Sequence, residues 1–170
     1  MASTKIIDIK SKFYIRKNSG GYSPCIQGNN PPFKDSVLYN CVGFVVGYFN
    51  EKIAKEKTCK WLGNWQPSWF LTGAKGQGLK TGNTAKVGAV AVWKNHVAIV
   101  KSVSPLRYYE SGWNYPKSWA YVIECGAQSW HKDFLGYIYP PETEPPKDEK
   151  ITYKASIDAK KYNKIEIDIN

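Results

Sequence analysis

Apolar residues recur at steps of three and four between residues 40 and 57, which is the spacing of one face of a helix. The positions in this stripe are Val42, Val45, Val46, Phe49 and Ile53. Asn40 precedes the stripe and is a residue type that caps helix N-termini well. The pattern therefore predicts a buried helix whose first residue is Cys41.

After a short helix predicted to begin near Pro67, the pattern changes from helical to β. Short segments rich in β-branched and aromatic residues then alternate with turn residues, over 87–93, 96–103, 106–111, 119–125 and 134–140. The connections are too short for crossover helices, so the sheet should be mostly antiparallel. Helices followed by a run of strands indicate an α+β domain.

The domain is predicted to end near residue 140. Residues 141–150, "PETEPPKDEK", are rich in proline and charge and read as a linker. Residues 151–170 are too few for a core of their own. They are predicted to be a C-terminal tail docked on the first domain, or the start of a truncated second domain.

Charge narrows the classes of partner. Twenty-four Lys and Arg against 14 Asp and Glu give a formal charge of +10, which favours nucleic acid, anionic lipid surfaces or anionic cell-wall polymers. Arg16 and Arg107 are the only arginines, and no nucleic-acid motif is present, so nucleic-acid recognition is not expected. No apolar run is long enough for membrane insertion, and the first 21 residues lack the apolar core of a secretory signal.

The cysteines do not form a metal-binding pattern. Cys25, Cys41, Cys59 and Cys125 include no CxxC pair, so a zinc knuckle is not expected. A disulfide framework is not expected either in a chain without an export signal. Cys25, Cys59 and Cys125 are interpreted as packing or surface thiols.

Cys41 has two interpretations. Buried free cysteines are usually inert, but the N-terminus of a helix favours a thiolate and offers amides to an oxyanion. A cysteine nucleophile also needs an imidazole and a group that orients it. His96 begins a strand, and Glu110 ends the next one, so a hairpin would let Glu110 accept the Nδ1 proton of His96. His131, in the polar turn "SWHKDF", is predicted to be exposed, with a substrate contact as the alternative.

These motifs, in this order, resemble a known family. "NCVGF" at a helix start, "KVGAVAVWKNHVAIV", "YYESGW" and "FLGYIYP" are similar to the CHAP domain, the cysteine, histidine-dependent amidohydrolase/peptidase, especially that of bacteriophage endolysins. The resemblance covers roughly residues 10–140. It implies a papain-like fold that hydrolyses amide bonds in peptidoglycan, with Cys41 as nucleophile, His96 as general base and Glu110 as the orienting acid.

Two positions depart from the family. Relatives often have Asn two residues after the acid, where this chain has Gly112, so the oxyanion would rely on amides near Cys41. Some relatives carry a calcium loop before the cysteine, whereas this segment offers one carboxylate, Asp35. We therefore expect no essential metal and no cofactor.

Substrate is expected to contact aromatic residues near the predicted triad. Trp93 and Trp113 are the predicted contacts, together with Asn40, which precedes the nucleophile. Trp61, Trp65 and Trp69 recur at helical spacing and are interpreted as packing residues. The positive charge would attract the anionic polymers of a Gram-positive wall.

The sequence is compatible with more than one cleaved bond and with more than one class of function. The bond cut could be that between N-acetylmuramic acid and L-alanine, or one in the stem peptide or cross-bridge. The other classes of function are a non-catalytic wall-binding module and a transglutaminase-like acyltransferase. An endolysin would be made in the host cytoplasm and reach the wall after holin-dependent release, with a C-terminal wall-binding domain or subunit as a candidate partner.

Overall fold

The computed structural model describes residues 40–111 and 122–142, together with Ser11, Phe13 and three short strands nearer the start of the chain. Two α-helices precede six strands of an antiparallel sheet among the described residues, which confirms the predicted α+β class. The papain-like topology stays a prediction. The predicted tail and most of the predicted linker lie outside the described residues, as do Asp35, Gly112 and Trp113.

Helix α1 spans Cys41–Tyr48 and begins where the sequence predicts. The Asn40 side chain caps it, since its Oδ1 accepts a hydrogen bond from the Gly43 amide at 2.8 Å. Val45 and Val46 are completely buried, as the apolar stripe indicates. The chain then continues as a wider π-helical turn over Phe49–Ile53. No helix among the described residues is long and apolar enough to cross a membrane.

A buried asparagine fastens this π-helical turn to the following loop. Asn50 is fully buried, and its Nδ2 donates to the carbonyls of Val46 and Trp61 at 2.8 and 2.7 Å. Its Oδ1 accepts the Trp61 amide at 2.9 Å. One side chain thus satisfies both backbone groups of Trp61, which would otherwise lose their partners inside the protein.

The second helix begins with a 3₁₀ turn over Pro67–Trp69 and continues as α2, Phe70–Gly76, in agreement with the prediction. Trp65 packs edge-on against Phe70, with ring centroids 5.6 Å apart. Trp61 also packs against the core, so the predicted packing role of these two tryptophans is confirmed. Trp69 is 63% exposed, and its predicted packing role is wrong.

In the part of the chain that the structure describes, the main sheet has seven strands in the order β1-β8-β7-β6-β5-β9-β4, and all neighbours are antiparallel, as predicted. The strands are β1 Ser3–Thr4, β4 Thr81–Gly82, β5 Val90–Trp93, β6 His96–Val103, β7 Leu106–Glu110, β8 Val122–Cys125 and β9 Phe134–Ile138. A separate hairpin pairs β2, Arg16–Asn18, with β3, Gly21–Ser23. Strands β1 and β4 have two residues each, which is too short for alternation to reveal them.

Both faces of the sheet are covered by apolar side chains. On one face Val97 and Ile99 of β6 pack with the residues of α1 and α2. On the other face Ala98 and Val100 of the same strand pack with Trp93 and other small or aromatic residues. This double burial explains why the central strands are nearly continuous apolar runs.

The strand register places the predicted catalytic residues His96 and Glu110 at one end of the sheet. Trp93 is paired with His96 across a two-residue turn, and Glu110 is paired with Ile123. Directly paired residues point to the same face, so His96 and Glu110 share the face of Trp93 and Ile123. Because β6 begins where β7 ends, both residues lie at the same end of the sheet.

Among the cysteines, Cys41 and Cys125 are free, and Cys125 is buried as a packing residue. Cys59 is disulfide-bonded, so its interpretation as a packing or surface thiol is wrong. The expectation rested on cysteine spacing and on the lack of an export signal, and neither shows which thiols the fold brings together. Cys25 lies outside the described residues.

The Asn50 contacts predict that replacing this side chain with an apolar one of similar size strongly lowers the stability of the protein. We expect Asn50→Leu to lower the free energy of unfolding by about 2–4 kcal/mol, because both Trp61 backbone groups lose their partner. Urea unfolding would measure this. Lys52→Ala, in the same turn but exposed, is the control and should change stability by less than about 0.5 kcal/mol. Equal stability of the Asn50→Leu variant and the wild type would contradict the assigned role of Asn50.

Candidate active site

The predicted histidine and carboxylate are in direct contact. His96 Nε2 lies 3.0 Å from Glu110 Oε2, and both residues are buried. The prediction that Nδ1 makes this bond is wrong. Nε2 is the ring nitrogen farther from Cβ, and it is the one that reaches Glu110 on the neighbouring strand.

Cys41 meets this pair from the first turn of α1. Its thiol is close enough to His96 to form a hydrogen bond with the ring. Since Nε2 is bonded to Glu110, Nδ1 is the nitrogen left for the thiol. Cys41 is only partly buried. The structure thus brings together the three residues that the sequence analysis placed in a triad.

The contacts of His96 favour its charged form. Burial by itself lowers the pKa of this imidazole, because it penalises the cation. The hydrogen bonds to Cys41 and Glu110 and the negative charge of these groups outweigh burial, and they raise the pKa to about 9. An imidazolium is therefore present in the site at neutral pH.

Glu110 is 2% exposed and stays ionised because it accepts several hydrogen bonds. Oε2 accepts from His96 and from His131, and Oε1 accepts from Trp130 Nε1 at 2.9 Å. Burial alone would raise the pKa of this carboxyl, but the hydrogen bonds from His131 and His96 and the electrostatic attraction to both histidines lower it to about 2.

His131 is a member of the site that the sequence analysis missed. Its side chain is 4% exposed, so the prediction of an exposed residue is wrong. Its Nε2 lies 2.7 Å from Glu110 Oε2. The polar sequence around it is typical of a surface turn, and no local signal indicates that this loop folds back over the strand ends.

The three residues His96, Glu110 and His131 have donor atoms within 4.8 Å of one another, which is close enough to raise the question of a metal ion. The backbone amide of Gln128 donates to His131 Nδ1 at 3.1 Å, so Nε2 must carry the ring hydrogen. A nitrogen that carries a hydrogen has no lone pair for a metal. The cluster therefore fits a hydrogen-bonded carboxylate and does not fit a metal site in this arrangement.

The three predicted substrate contacts, Asn40, Trp93 and Trp113, have different outcomes. Asn40 adjoins the nucleophile, but its side-chain oxygen is used in capping α1. Trp93 is 3% exposed and stacks on His131 with ring centroids 4.2 Å apart. This geometry leaves Trp93 almost no ring surface for a substrate and gives it a packing role instead. Trp113 lies outside the described residues.

The start of α1 also provides donors for a negative charge. The Gly43 amide is used by the cap, and the Phe44 amide bonds to the Asn40 carbonyl at 3.1 Å. The amides of Cys41 and Val42 precede these and have no acceptor within the helix. They lie beside the sulfur, where an oxyanion would form after attack on a carbonyl.

A thiol beside an imidazolium, with a buried carboxylate behind it and amides at a helix start that have no acceptor within the helix, defines a site for cysteine-dependent acyl transfer. The family comparison agrees with this class. The model of the CHAP domain matches residues 32–112, a segment that includes Cys41, His96 and Glu110. CHAP domains are generally cysteine- and histidine-dependent amidohydrolases or peptidases that act on peptidoglycan. No curated protein matches the chain.

The contacts of His96 predict how its titration responds to Glu110. We expect Glu110→Gln to lower the pKa of His96 from about 9, because the substitution removes a negative charge and a charged hydrogen-bond acceptor. NMR titration of the labelled imidazole would measure it. Glu142→Gln, which neutralises an exposed carboxylate paired with Lys80, is the control and should leave the His96 titration in place. An unchanged midpoint in the Glu110→Gln variant would show that Glu110 does not support the imidazolium.

Proposed function

We propose that this protein is a peptidoglycan hydrolase of the bacteriophage endolysin type, which cuts an amide bond of the bacterial wall and so causes lysis. The observation that carries the proposal is the convergence of Cys41, His96 and Glu110 at one end of the sheet. The family match supports the substrate class. In this role the enzyme, made in the host cytoplasm, acts on the wall after holin-dependent release.

The proposed reaction begins with attack of the Cys41 thiolate on the carbonyl carbon of the scissile amide. The amides of Cys41 and Val42 donate to the oxyanion of the tetrahedral intermediate. His96, as imidazolium, then gives its proton to the leaving amine as the C–N bond breaks and a thioester forms. Water hydrolyses the thioester with neutral His96 as base, which restores the thiolate–imidazolium pair.

The positive charge supports an anionic polymer as the setting of this reaction. A formal charge of +10 concentrates the protein near the acidic polymers of a Gram-positive wall, and salt screens this attraction. A C-terminal wall-binding domain or subunit would add affinity in the same place. Nucleic acid and membrane insertion play no part in the proposal.

The first test removes the nucleophile. We expect Cys41→Ala to abolish the release of soluble fragments from purified Gram-positive walls, because the substitution removes the sulfur that forms the thioester. Ser102→Ala, a truncation of similar size near the far end of β6 from His96, should retain most of the activity. Circular dichroism would show that both variants fold. Wall degradation by a folded Cys41→Ala protein at the wild-type rate would end the proposal.

Mass spectrometry of the released fragments distinguishes the bonds and the competing classes. An amidase frees intact stem peptides from the glycan, whereas an endopeptidase leaves truncated stems or opened cross-bridges. New cross-links in place of new amines would indicate a transglutaminase-like acyltransferase. Wall binding that survives alkylation of Cys41, without any fragment, would indicate a binding module.

The protonation of His96 predicts the alkaline side of the pH profile. His96 must be protonated to act on the leaving amine, and its pKa is raised to about 9. We therefore expect kcat for wall hydrolysis to fall as the pH rises through about 9, and not near the ordinary histidine value of about 6.5. A turbidity assay from about pH 6 to about pH 11 at constant ionic strength would measure this. A loss of activity centred near the ordinary histidine value would contradict the raised pKa.

A further inference from the structure

The proposed mechanism makes no use of His131. Both of its ring nitrogens have hydrogen-bond partners, and its ring stacks on Trp93. Its Nε2 lies 2.7 Å from Glu110 Oε2, the same oxygen that His96 Nε2 approaches at 3.0 Å. The carboxylate oxygen is therefore shared by two imidazoles, of which only His96 contacts the nucleophile.

The loop that carries His131 determines which of its nitrogens is a donor. The Gln128 amide donates to Nδ1 at 3.1 Å, and the His131 amide donates back to the Gln128 carbonyl at 3.0 Å. Because Nδ1 is an acceptor, the ring hydrogen is on Nε2, where it points at Glu110. His131 therefore donates to the carboxylate through Nε2.

Packing fixes the plane of the His131 ring. The ring stacks on Trp93 at an interplanar angle of 13° and meets the edge of Tyr108 with centroids 5.2 Å apart. Trp130, the preceding residue, donates to the other oxygen of Glu110. The loop between β8 and β9 thus holds both oxygens of the carboxylate.

We propose that His131 is a positioning residue of this active site: through its Nε2–H it holds Glu110 ionised and aimed at His96. This inference rests on the proposed function, but the effect of His131 on the pKa of Glu110 can be measured without a substrate. His96 from β6, Tyr108 from β7, Cys125 from β8 and Trp130 from the loop also face the carboxylate. His131 is distinguished from them as the second donor to the oxygen that binds His96.

Three substitutions separate the donor from the ring. His131→Phe keeps a flat ring for Trp93 but has no donor. His131→Gln places an amide N–H near the position of Nε2. His131→Asn has the same amide group on a shorter side chain, which can still accept from the Gln128 amide but does not reach Glu110. The Gln and Asn variants are therefore a matched pair that differs in reach.

Two measurements test the proposal. In ¹³C NMR titrations of the Glu110 carboxyl, we expect the pKa to rise from about 2 in the Phe and Asn variants and to remain low in the Gln variant. In wall hydrolysis, kcat should fall about 10- to 100-fold for the Phe and Asn variants with little change in KM, as for loss of a hydrogen bond to a charged group. The Gln variant should recover most of this loss.

A purely structural role predicts a different result, in which all three variants lose activity in proportion to their melting temperature while the Glu110 titration is unchanged. That result, or a Gln variant as impaired as the Asn variant, would overturn the proposal. If His131→Phe does not fold, the Gln and Asn pair decides the question alone. If the wild type degrades no wall, the proposed function fails while the titration still tests His131.

Discussion

An ionised carboxylate buried among apolar side chains is stable only when its oxygens accept hydrogen bonds, and Glu110 imposes this constraint on the whole site. Its three donors come from two separate parts of the chain, the start of β6 and the loop between β8 and β9. Once they are in place, the negative charge is fixed at the end of the sheet. The charge then stabilises the imidazolium of His96, which lies beside the Cys41 thiol.

Helix α1, which carries Cys41, is held in place by contacts that do not involve Glu110. Asn40 caps the start of α1, and Asn50 fastens the π-helical turn at its other end to Trp61. Between them, fully buried valines hold the helix against the sheet. The position of Cys41 is therefore determined by helix packing, whereas the position of His96 is determined by hydrogen bonds at the sheet end. Acyl transfer requires both sets of contacts at once.

Local patterns explain which features could be predicted from the sequence. The apolar stripe and Asn40 indicate where α1 begins, and alternation with turn residues indicates the central strands, since these signals lie within a few residues. The contact of His96 with Glu110 follows from hairpin geometry. The burial of His131, the disulfide at Cys59 and the two-residue edge strands have no such signal. Each depends on segments that are distant in sequence, and the loop around His131 has the composition of an ordinary surface turn.

The reach of the family match shows how far the site depends on the rest of the chain. The matched segment, residues 32–112, includes Cys41, His96 and Glu110 but ends before Trp130 and His131. Two of the three donors to the carboxylate therefore come from outside it. A chain that ended at residue 112 would contain every triad residue and still keep only one of the three described donors to Glu110, so the functional unit must extend through β8, the following loop and β9.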